Sequence, residues 1–301
     1  MKTRKLLQEM WKSKEAYLFL LPLFVGLIIF SYYPPIYGII QSFFEWDGTN
    51  QGIYVGVQNY LNLFQDEVFL DSIPTMIKIM MPRLIIGIVA PLIMAELIFC
   101  LKRVKLQAIY RVLVLVPIVA PGVVGLLIWK NIFDPTGGLL TSLAKLLGFA
   151  TESGSIAWLG DPKLVIFSII FMGFPWVGGT SVLIYTSGLM NISEDVLDAA
   201  KLDGVTTWKR IRLIDLPLLV GQIRYFFIFG IINGLQDYGT QMVLTQGGPG
   251  YSTYVPGYYM YTQAFAAGKM GYACAIGTTL FLCIMILTLF AFRFTRSKDT
   301  E

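Results

Sequence analysis

The sequence contains no histidine and few charged residues. Of its 301 residues, 14% are Asp, Glu, Lys or Arg. Soluble domains carry about 25% charged residues, so the deficit indicates a protein embedded in lipid. The lack of histidine removes the commonest metal ligand and general base, so the composition disfavours a metal site.

Cysteine and nucleotide-binding motifs are equally scarce. The three cysteines, Cys100, Cys274 and Cys283, lie in or beside apolar runs without C-x-x-C spacing and read as small hydrophobic residues. The glycines at 247–250 are not followed by the Lys and Ser/Thr of a Walker A motif. The sequence therefore predicts no catalytic residues, no metal, no cofactor and no nucleic-acid partner, and any ATP hydrolysis must come from another chain.

Long apolar runs are what the sequence does contain. Hydrophobic residues make up 55% of the chain, in runs of about 20 residues, the length that a helix needs to cross a bilayer. In hydrocarbon the backbone must satisfy its own hydrogen bonds, which favours helices here. The prediction is an all-α membrane protein with six transmembrane helices. They are expected at 16–44, 84–101, 107–129, 164–189, 218–244 and 273–292.

Two of these spans leave alternatives open. The first is expected to tilt or break near Pro34 and Pro35. The second begins near residue 73 instead of 84 if Lys78 and Arg83 occupy an interface or a cavity; otherwise Arg83 is expected at the outer edge. Glu96 is expected to reach the membrane interface near Lys102 and Arg103.

Basic residues predict the orientation of the spans. The segments 1–15, 102–111, 190–217 and 293–301 hold 16 Lys and Arg residues, whereas 45–72, 130–163 and 245–272 hold four. Because cytoplasmic loops are enriched in Lys and Arg, both termini are expected to be cytoplasmic. The alternative for the basic start is a cleaved signal peptide, but no small-x-small cleavage site precedes Pro34.

The chain is accordingly divided into a cytoplasmic N-terminal segment, a first span, an outer loop, a five-helix core and a cytoplasmic tail. Their predicted bounds are 1–15, 16–44, 45–72, 73–292 and 293–301.

The cytoplasmic loop 191–217 is predicted to form two short helices. Ser193 suits a helix N-cap, Gly204 permits a sharp turn, and Thr206 or Thr207 begins a second helix at 208–213. Pro217 suits the start of the fifth span. Such a loop either lies on the membrane surface or docks in a groove of a partner, and acids on its first helix disfavour anionic lipid.

The same loop resembles the "EAA" loop of binding-protein-dependent ABC importers, in the carbohydrate, maltose-type branch. Asp198 stands where that family usually has Glu. The stretches 244–249 (LTQGGP) and 173–176 (GFPW) are also similar to that branch. In the family the loop couples the permease to the ATPase. The resemblance assigns this role to Asp198, Ala199, Ala200, Asp203, Gly204, Trp208, Leu216 and Pro217.

The resemblance further implies the type I permease fold of ABC importers and a place in a multi-pass bacterial plasma membrane. It implies ATP-driven alternating access with four kinds of partner besides lipid. They are a second homologous permease subunit in a heterodimer, two ATP-binding subunits, an extracellular solute-binding protein and a sugar.

Polar residues on the fifth span predict the substrate site. Asn233 and Asp237 share a helix face with Gly230 and Gly234, and polar groups within spans need a reason. Either they bind a ligand or they pack helices. Resemblance to the maltose-type permease implies a sugar cavity. Its residues would be Met172, Gly173, Trp176, Gly230, Asn233, Gly234 and Asp237.

The Asp237 carboxylate favours a neutral saccharide as the substrate. Glycerol phosphate or an acidic sugar becomes the alternative if Arg83 or a partner supplies positive charge. A secondary carrier or channel outside the ABC class is the other alternative. Such carriers often contain inverted repeats, and no clear repeat relates the two halves here.

Overall fold

The computed structural model describes residues 14–149 and 154–294. The predicted cytoplasmic segment 1–15 and tail 293–301 therefore lie mostly outside the described residues. The chain forms two compact units. The first comprises Met1–Gln65 and Met260–Thr279, and the second Asp66–Tyr259 and Leu280–Glu301.

The described residues are predominantly helical, as predicted. In chain order the α-helices are α1 (Lys14–Gly26), α2 (Tyr33–Gln41), α3 (Gln58–Leu63), α4 (Glu67–Phe99), α5 (Val104–Leu113), α6 (Gly122–Ile132), α7 (Leu139–Leu146), α8 (Val165–Phe171), α9 (Gly179–Met190), α10 (Glu194–Leu202), α11 (Thr207–Arg210), α12 (Leu216–Leu218), α13 (Val220–Gln236), α14 (Gly239–Leu244), α15 (Pro256–Phe265) and α16 (Met270–Phe294). Two π-helical turns (Leu27–Tyr32 and Ile211–Asp215) and a 3₁₀ turn (Val116–Val119) connect some of them.

The first span changes helix type where the prolines were expected to disturb it. A π-helical turn, Leu27–Tyr32, stands immediately before Pro34 and Pro35. Proline has no N–H to donate to the preceding turn, so the regular hydrogen-bond ladder is interrupted there. The span nevertheless continues as one helical element over Tyr17–Gln41.

A two-stranded hairpin follows the first span in the first unit. Strands β1 (Phe44–Glu45) and β2 (Ile53–Tyr54) pair antiparallel, with Phe44 opposite Tyr54. The Asn59 amide donates to the carbonyl oxygens of Ser42 and Phe44 at 2.9 and 3.0 Å and fastens α3 to the hairpin. In the turn, the backbone N–H of Thr49 holds the pKa of Asp47 below its usual value.

Helix α4 begins at Glu67, well before residue 84, where the second span was predicted to start. Asp66 caps it, because its side chain accepts from the backbone N–H groups of Val68 and Phe69. The prediction from apolar composition alone was therefore too short. The earlier start was the alternative left open by the sequence, in which Lys78 and Arg83 lie within the helix and need an interface or a cavity.

Three of the other predicted spans, the third to the fifth, are bent or divided. Three helical segments are long and apolar enough to cross a membrane: Tyr17–Gln41, Glu67–Phe99 and Met270–Ala291. Two further segments qualify only as bent pairs, with breaks of 87° after Val119 and 65° after Leu218. The described part of the chain therefore contains three to five candidate spans.

The predicted span 164–189 is not a single helix. Helix α8 ends at Phe171 and α9 begins at Gly179. Between them, Gly173 and Trp176 adopt positive φ of 92° and 58°, which helices exclude, and Pro175 lacks an amide donor.

The core of the second unit joins α4, α9 and the start of α13. Ala95, Val182, Tyr185, Leu189 and Leu219 are each 0% exposed and form one apolar cluster. These residues come from three separate stretches of the sequence, so the cluster fixes the end of α4 against the helices that flank the loop 191–217.

Helices α4 and α13 approach closely at two glycines. A Cβ at Gly234 would overlap Met80 Cγ, and one at Gly230 would overlap Leu84 Cδ1. Small residues let helix backbones approach within a membrane. The face that carries Gly230 and Gly234 is therefore used for helix packing, the alternative left open by the sequence.

Substitution Gly234→Ala is expected to destabilise the protein. The added methyl group overlaps Met80, and overpacking of this kind costs about 1–3 kcal/mol. Gly221→Ala is the matched control, because it lies on the same helix with nothing within 4 Å of its Cβ. The apparent melting temperature in detergent should fall for Gly234→Ala and hold or rise for Gly221→Ala. Equal values for both variants would contradict the close approach.

Candidate functional site

The second unit contains a cavity between α4 and α13. Its volume is about 690 Å³, and it is lined by residues from α4, α9, α13, α14 and the segment before α15. Apolar and aromatic side chains line it together with polar ones, a mixture found in small-molecule sites. The polar or charged lining residues are Arg83, Ser181, Tyr225, Asn233, Gln236, Asp237, Thr240 and Gln241.

Arg83 and Asp237 form an ion pair within this cavity. Arg83 Nη1 donates to Asp237 Oδ2 at 3.0 Å, and the side chains are 34% and 28% exposed. Arg83 and Asp237 are the charged residues among those that line the cavity. Because their charges are opposite, they offset each other. Asp237 also accepts from the backbone N–H and hydroxyl of Thr240, at 3.3 and 2.9 Å, which fixes its carboxylate at the start of α14.

The structure brings four of the seven predicted substrate residues together. Gly230, Asn233, Gly234 and Asp237 line the cavity. Helix α13 places them there because residues three and four apart share a face. Gln236 and Gln241, polar candidates on the fifth span in the sequence, also line the cavity, whereas Arg83 and Tyr225 were not assigned to the site from the sequence. The charge of Arg83, predicted within or beside a span, was a signal for it.

Met172, Gly173 and Trp176 are not among the lining residues of this cavity. Met172 is 8% exposed and packs in a separate apolar cluster with Phe133 and Leu244. Trp176 lies against the rings of Phe171 and Phe174, with centroids 5.8 and 5.0 Å away. Its indole N–H donates to the carbonyl of Ile170 at 3.2 Å. The structure thus places the aromatic ring expected at the sugar in a local aromatic cluster.

The loop 191–217 has the two-helix form that was predicted. Ser193 occupies the N-cap position of α10, although its side chain makes no capping hydrogen bond. Gly204 has φ of +68°, a conformation that favours glycine, and turns the chain between α10 and α11. Thr206 occupies the N-cap position of α11, and a π-helical turn, Ile211–Asp215, follows that helix.

The predicted coupling residues are mostly exposed on this loop. Trp208 is 82% exposed and Leu202, also in the loop, is 89% exposed. Asp198 forms a solvent-facing ion pair with Lys201 at 2.8 Å. Ala199, Asp203, Gly204 and Pro217 are exposed, Leu216 is half-buried and Ala200 is buried. These exposed side chains are accessible to a partner.

A cluster of buried charges lies behind the exposed face of the loop. Arg210 Nε donates to Asp215 Oδ2 at 2.9 Å, and Arg210 Nη2 lies 3.7 Å from Glu96 Oε2. Asp215 is 0% and Glu96 6% exposed. Glu96 was expected near Lys102 and Arg103, and the basic side chain that it contacts is instead Arg210 of the loop. Glu96 points to the loop because α4, α9 and α13 pack together at this end.

Comparison with known proteins gives a family match over most of the chain. Residues 87–298 match the family model described as "Binding-protein-dependent transport system inner membrane component". A probable ABC transporter permease protein of Pyrococcus horikoshii is 29% identical and covers 90% of this chain and 92% of its own. The multiple sugar-binding transport system permease protein MsmF of Streptococcus mutans is 28% identical, and the match covers 99% of this chain and 100% of MsmF.

A solved structure has the same fold. A chain of a bacterial ABC transporter involved in the import of the acidic polysaccharide alginate superposes with a TM-score of 0.85. It is 21% identical in sequence, and the match covers 99% of this chain and 100% of that one. The predicted permease fold of ABC importers is thereby confirmed.

A double-mutant cycle should reveal the ion pair in the cavity. Asp237→Asn and Arg83→Gln are each expected to lower the free energy of unfolding, with a coupling of about 1 kcal/mol between them. The coupling arises because the double variant leaves no unpaired charge. Reversible SDS titration in micelles measures it.

The pair Asp198 and Lys201 is the control for this cycle, because its side chains are 66% and 76% exposed. Its coupling should be close to zero, as for most exposed ion pairs. Equal coupling in the two cycles would mean that the cavity does not strengthen the Arg83 pair.

Proposed function

This chain belongs to the family of binding-protein-dependent transport system inner membrane components, and from that premise we propose that it is a permease subunit of a carbohydrate ABC importer. Six spans with both termini in the cytoplasm of a bacterium complete the proposed topology. The proposed reaction is the passage of a saccharide across the membrane, driven by ATP hydrolysis on separate subunits.

One geometric observation supports this proposal above the others. The exposed two-helix loop is followed by α12 and then by α13. Helix α13 carries Tyr225, Asn233 and other residues that line the cavity. A partner that moves the loop thus acts on a helix that lines the cavity. This connection is what alternating access requires, since ATP binding and solute binding occur on different subunits.

The proposed partners follow from the surfaces at the two ends. Two ATP-binding subunits would contact the loop 191–217, one through this chain and one through a second, homologous permease subunit. A solute-binding protein would deliver the saccharide to the outer segments 45–72, 130–163 and 245–272. In the segment 130–163, the backbone N–H of Gly137 donates to Asp134. This hydrogen bond holds the pKa of Asp134 below its usual value and fixes a tight turn.

The cavity favours a neutral saccharide. Because Arg83 offsets the charge of Asp237, the cavity carries no excess positive charge to attract a phosphate or a uronate. The sequence led to the same expectation for a different reason, in which the Asp237 carboxylate was considered without a partner of opposite charge. Hydroxyl groups would bind Asn233 and Gln236, and apolar sugar faces would pack on Tyr225 and Phe229.

The exposed face of the loop is proposed to dock on the ATP-hydrolysing subunit. Leu202 and Trp208 present apolar surface beside the acids Asp198 and Asp203. Anionic lipid is a poor match for those acids, whereas a protein groove accepts both kinds of side chain. Of the remaining coupling residues, Ala199 and Ala200 lie in α10, Gly204 forms the turn, and Leu216 and Pro217 lie in α12 before α13.

Trp208→Ala should weaken copurification of the ATPase subunit and abolish most solute uptake. Removing an interfacial tryptophan anchor costs about 2 kcal/mol, or roughly 30-fold in Kd. The variant should keep its melting temperature, because Trp208 is 82% exposed in the isolated chain. Copurification is measured by pulling down the tagged permease pair.

Leu146→Ala is the matched control for copurification. Leu146 is also 82% exposed but lies in the segment 130–163, on the side assigned to the binding protein. Normal copurification of the ATPase with Trp208→Ala would remove the loop from the interface and sink the proposed function.

Asn233→Leu should raise the solute concentration needed for half-maximal uptake by roughly 3–10-fold, the loss of one hydrogen bond. The side-chain volume is nearly kept, so copurification of the ATPase should be unchanged. Transport of a labelled saccharide into proteoliposomes provides the measurement. An unchanged half-saturation value would remove Asn233 from the substrate site.

A further inference from the structure

The cluster of Glu96, Arg210 and Asp215 joins the loop to a second helix besides α13. The π-helical turn Ile211–Asp215 makes the contact between Arg210 and Asp215 possible. In an α-helix, residues five apart point in different directions, whereas the wider π turn brings them onto one face. Arg210 Nε therefore reaches Asp215 Oδ2 at 2.9 Å.

The guanidinium of Arg210 also contacts the last turn of α4. Its Nη2 lies 3.7 Å from Glu96 Oε2 and 3.3 Å from Cys100 Sγ, and its Cζ lies 5.1 Å from the Phe99 ring centroid. One side chain of the loop thus contacts three residues at the end of α4. The contacts are an ion pair, a hydrogen bond and a cation–π interaction.

Stability alone does not account for this arrangement. Two carboxylates share one guanidinium, and Asp215 is fully buried. Within the described part of the chain, Asp215 Oδ1 and both Glu96 oxygens make no hydrogen bond. Burying charges costs more than packing apolar groups of the same volume, so such clusters are weak contributors to stability. Their advantage is that they fix one arrangement of the elements that carry them.

Helix α4 extends from this cluster to the cavity. Glu96 and Arg83 lie on the same unbroken helix, 13 residues apart, or about 20 Å. We infer that Arg210 is a positioning residue that joins the loop 191–217 to α4. Movement of the loop then reaches Arg83 through α4 and Asp237 through α13. This inference rests on the proposed function.

The test measures ATP hydrolysed per saccharide transported in the complete transporter in proteoliposomes. Arg210→Met and Glu96→Gln should each raise this ratio about tenfold, while ATPase copurification stays at the level of the unchanged protein. Arg210→Lys keeps the charge but loses the guanidinium fork, and should recover part of the loss. Lys105→Met is the control, because Lys105 is exposed on α5, outside the loop 191–217, and its ratio should not change.

Labelling of Cys100 gives a second measurement that does not depend on these variants. In a Cys274→Ser, Cys283→Ser background, a maleimide should label Cys100 at the same rate with and without a non-hydrolysable ATP analogue, because Arg210 stays on α4. A rate that changes severalfold with nucleotide would overturn the inference. The inference would also be overturned if Arg210→Met and Glu96→Gln both hydrolysed as much ATP per saccharide transported as the unchanged protein.

These outcomes separate the inference from the proposed function. If Trp208→Ala disrupts ATPase binding and the Arg210 variants couple normally, only the inference fails. If Trp208→Ala leaves ATPase binding intact, the proposed function fails first.

Discussion

The close approach of α4 and α13 at Gly230 and Gly234 is the constraint on which the rest of the second unit depends. Any larger side chain at Gly234 would overlap Met80. The residues of this contact also line the cavity, to which α4 contributes Arg83 and the end of α13 contributes Asp237. Their 3.0 Å ion pair exists because the glycines bring the backbones together. Packing and polar chemistry are therefore set by the same helix face.

The breaks in the helices are compatible with a membrane because their backbone groups find partners. Irregular backbone is tolerated in a bilayer where protein or a cavity surrounds it. Helix α13 ends at Gln236, and the Asp237 carboxylate then accepts from the Thr240 N–H of the next helix. In the break after α8, the N–H of Trp176 donates to the carbonyl of Gly173. At both of these breaks, backbone groups that leave the helical ladder thus have a partner.

Local features were predictable from the sequence, and contacts between distant residues were not. The turn at Gly204 and the helices on either side of it follow from conformational preferences within a few residues. The membrane class follows from composition. Arg83 and Asp237 are 154 residues apart, and Arg210 and Glu96 are 114 apart. Nothing in either neighbourhood specifies the other, and a π-helical turn has no compositional signature. Trp176 was assigned to the sugar by resemblance, whereas its nearest aromatic neighbours pack it locally.

The length of α4 lets one helix carry two separate charged contacts. The helix has 33 residues and is about 50 Å long, against about 30 Å of hydrocarbon. Arg83 lies at the middle of the helix and pairs with the single carboxylate of Asp237 in the cavity. Glu96 lies about 20 Å farther along, where Arg210 of the loop 191–217 contacts both Glu96 and Asp215. An uncompensated charge within a span is costly, and each of these charged side chains has a partner of opposite sign. A single helix thereby joins the cavity to the loop through two ion pairs that it forms with different parts of the chain.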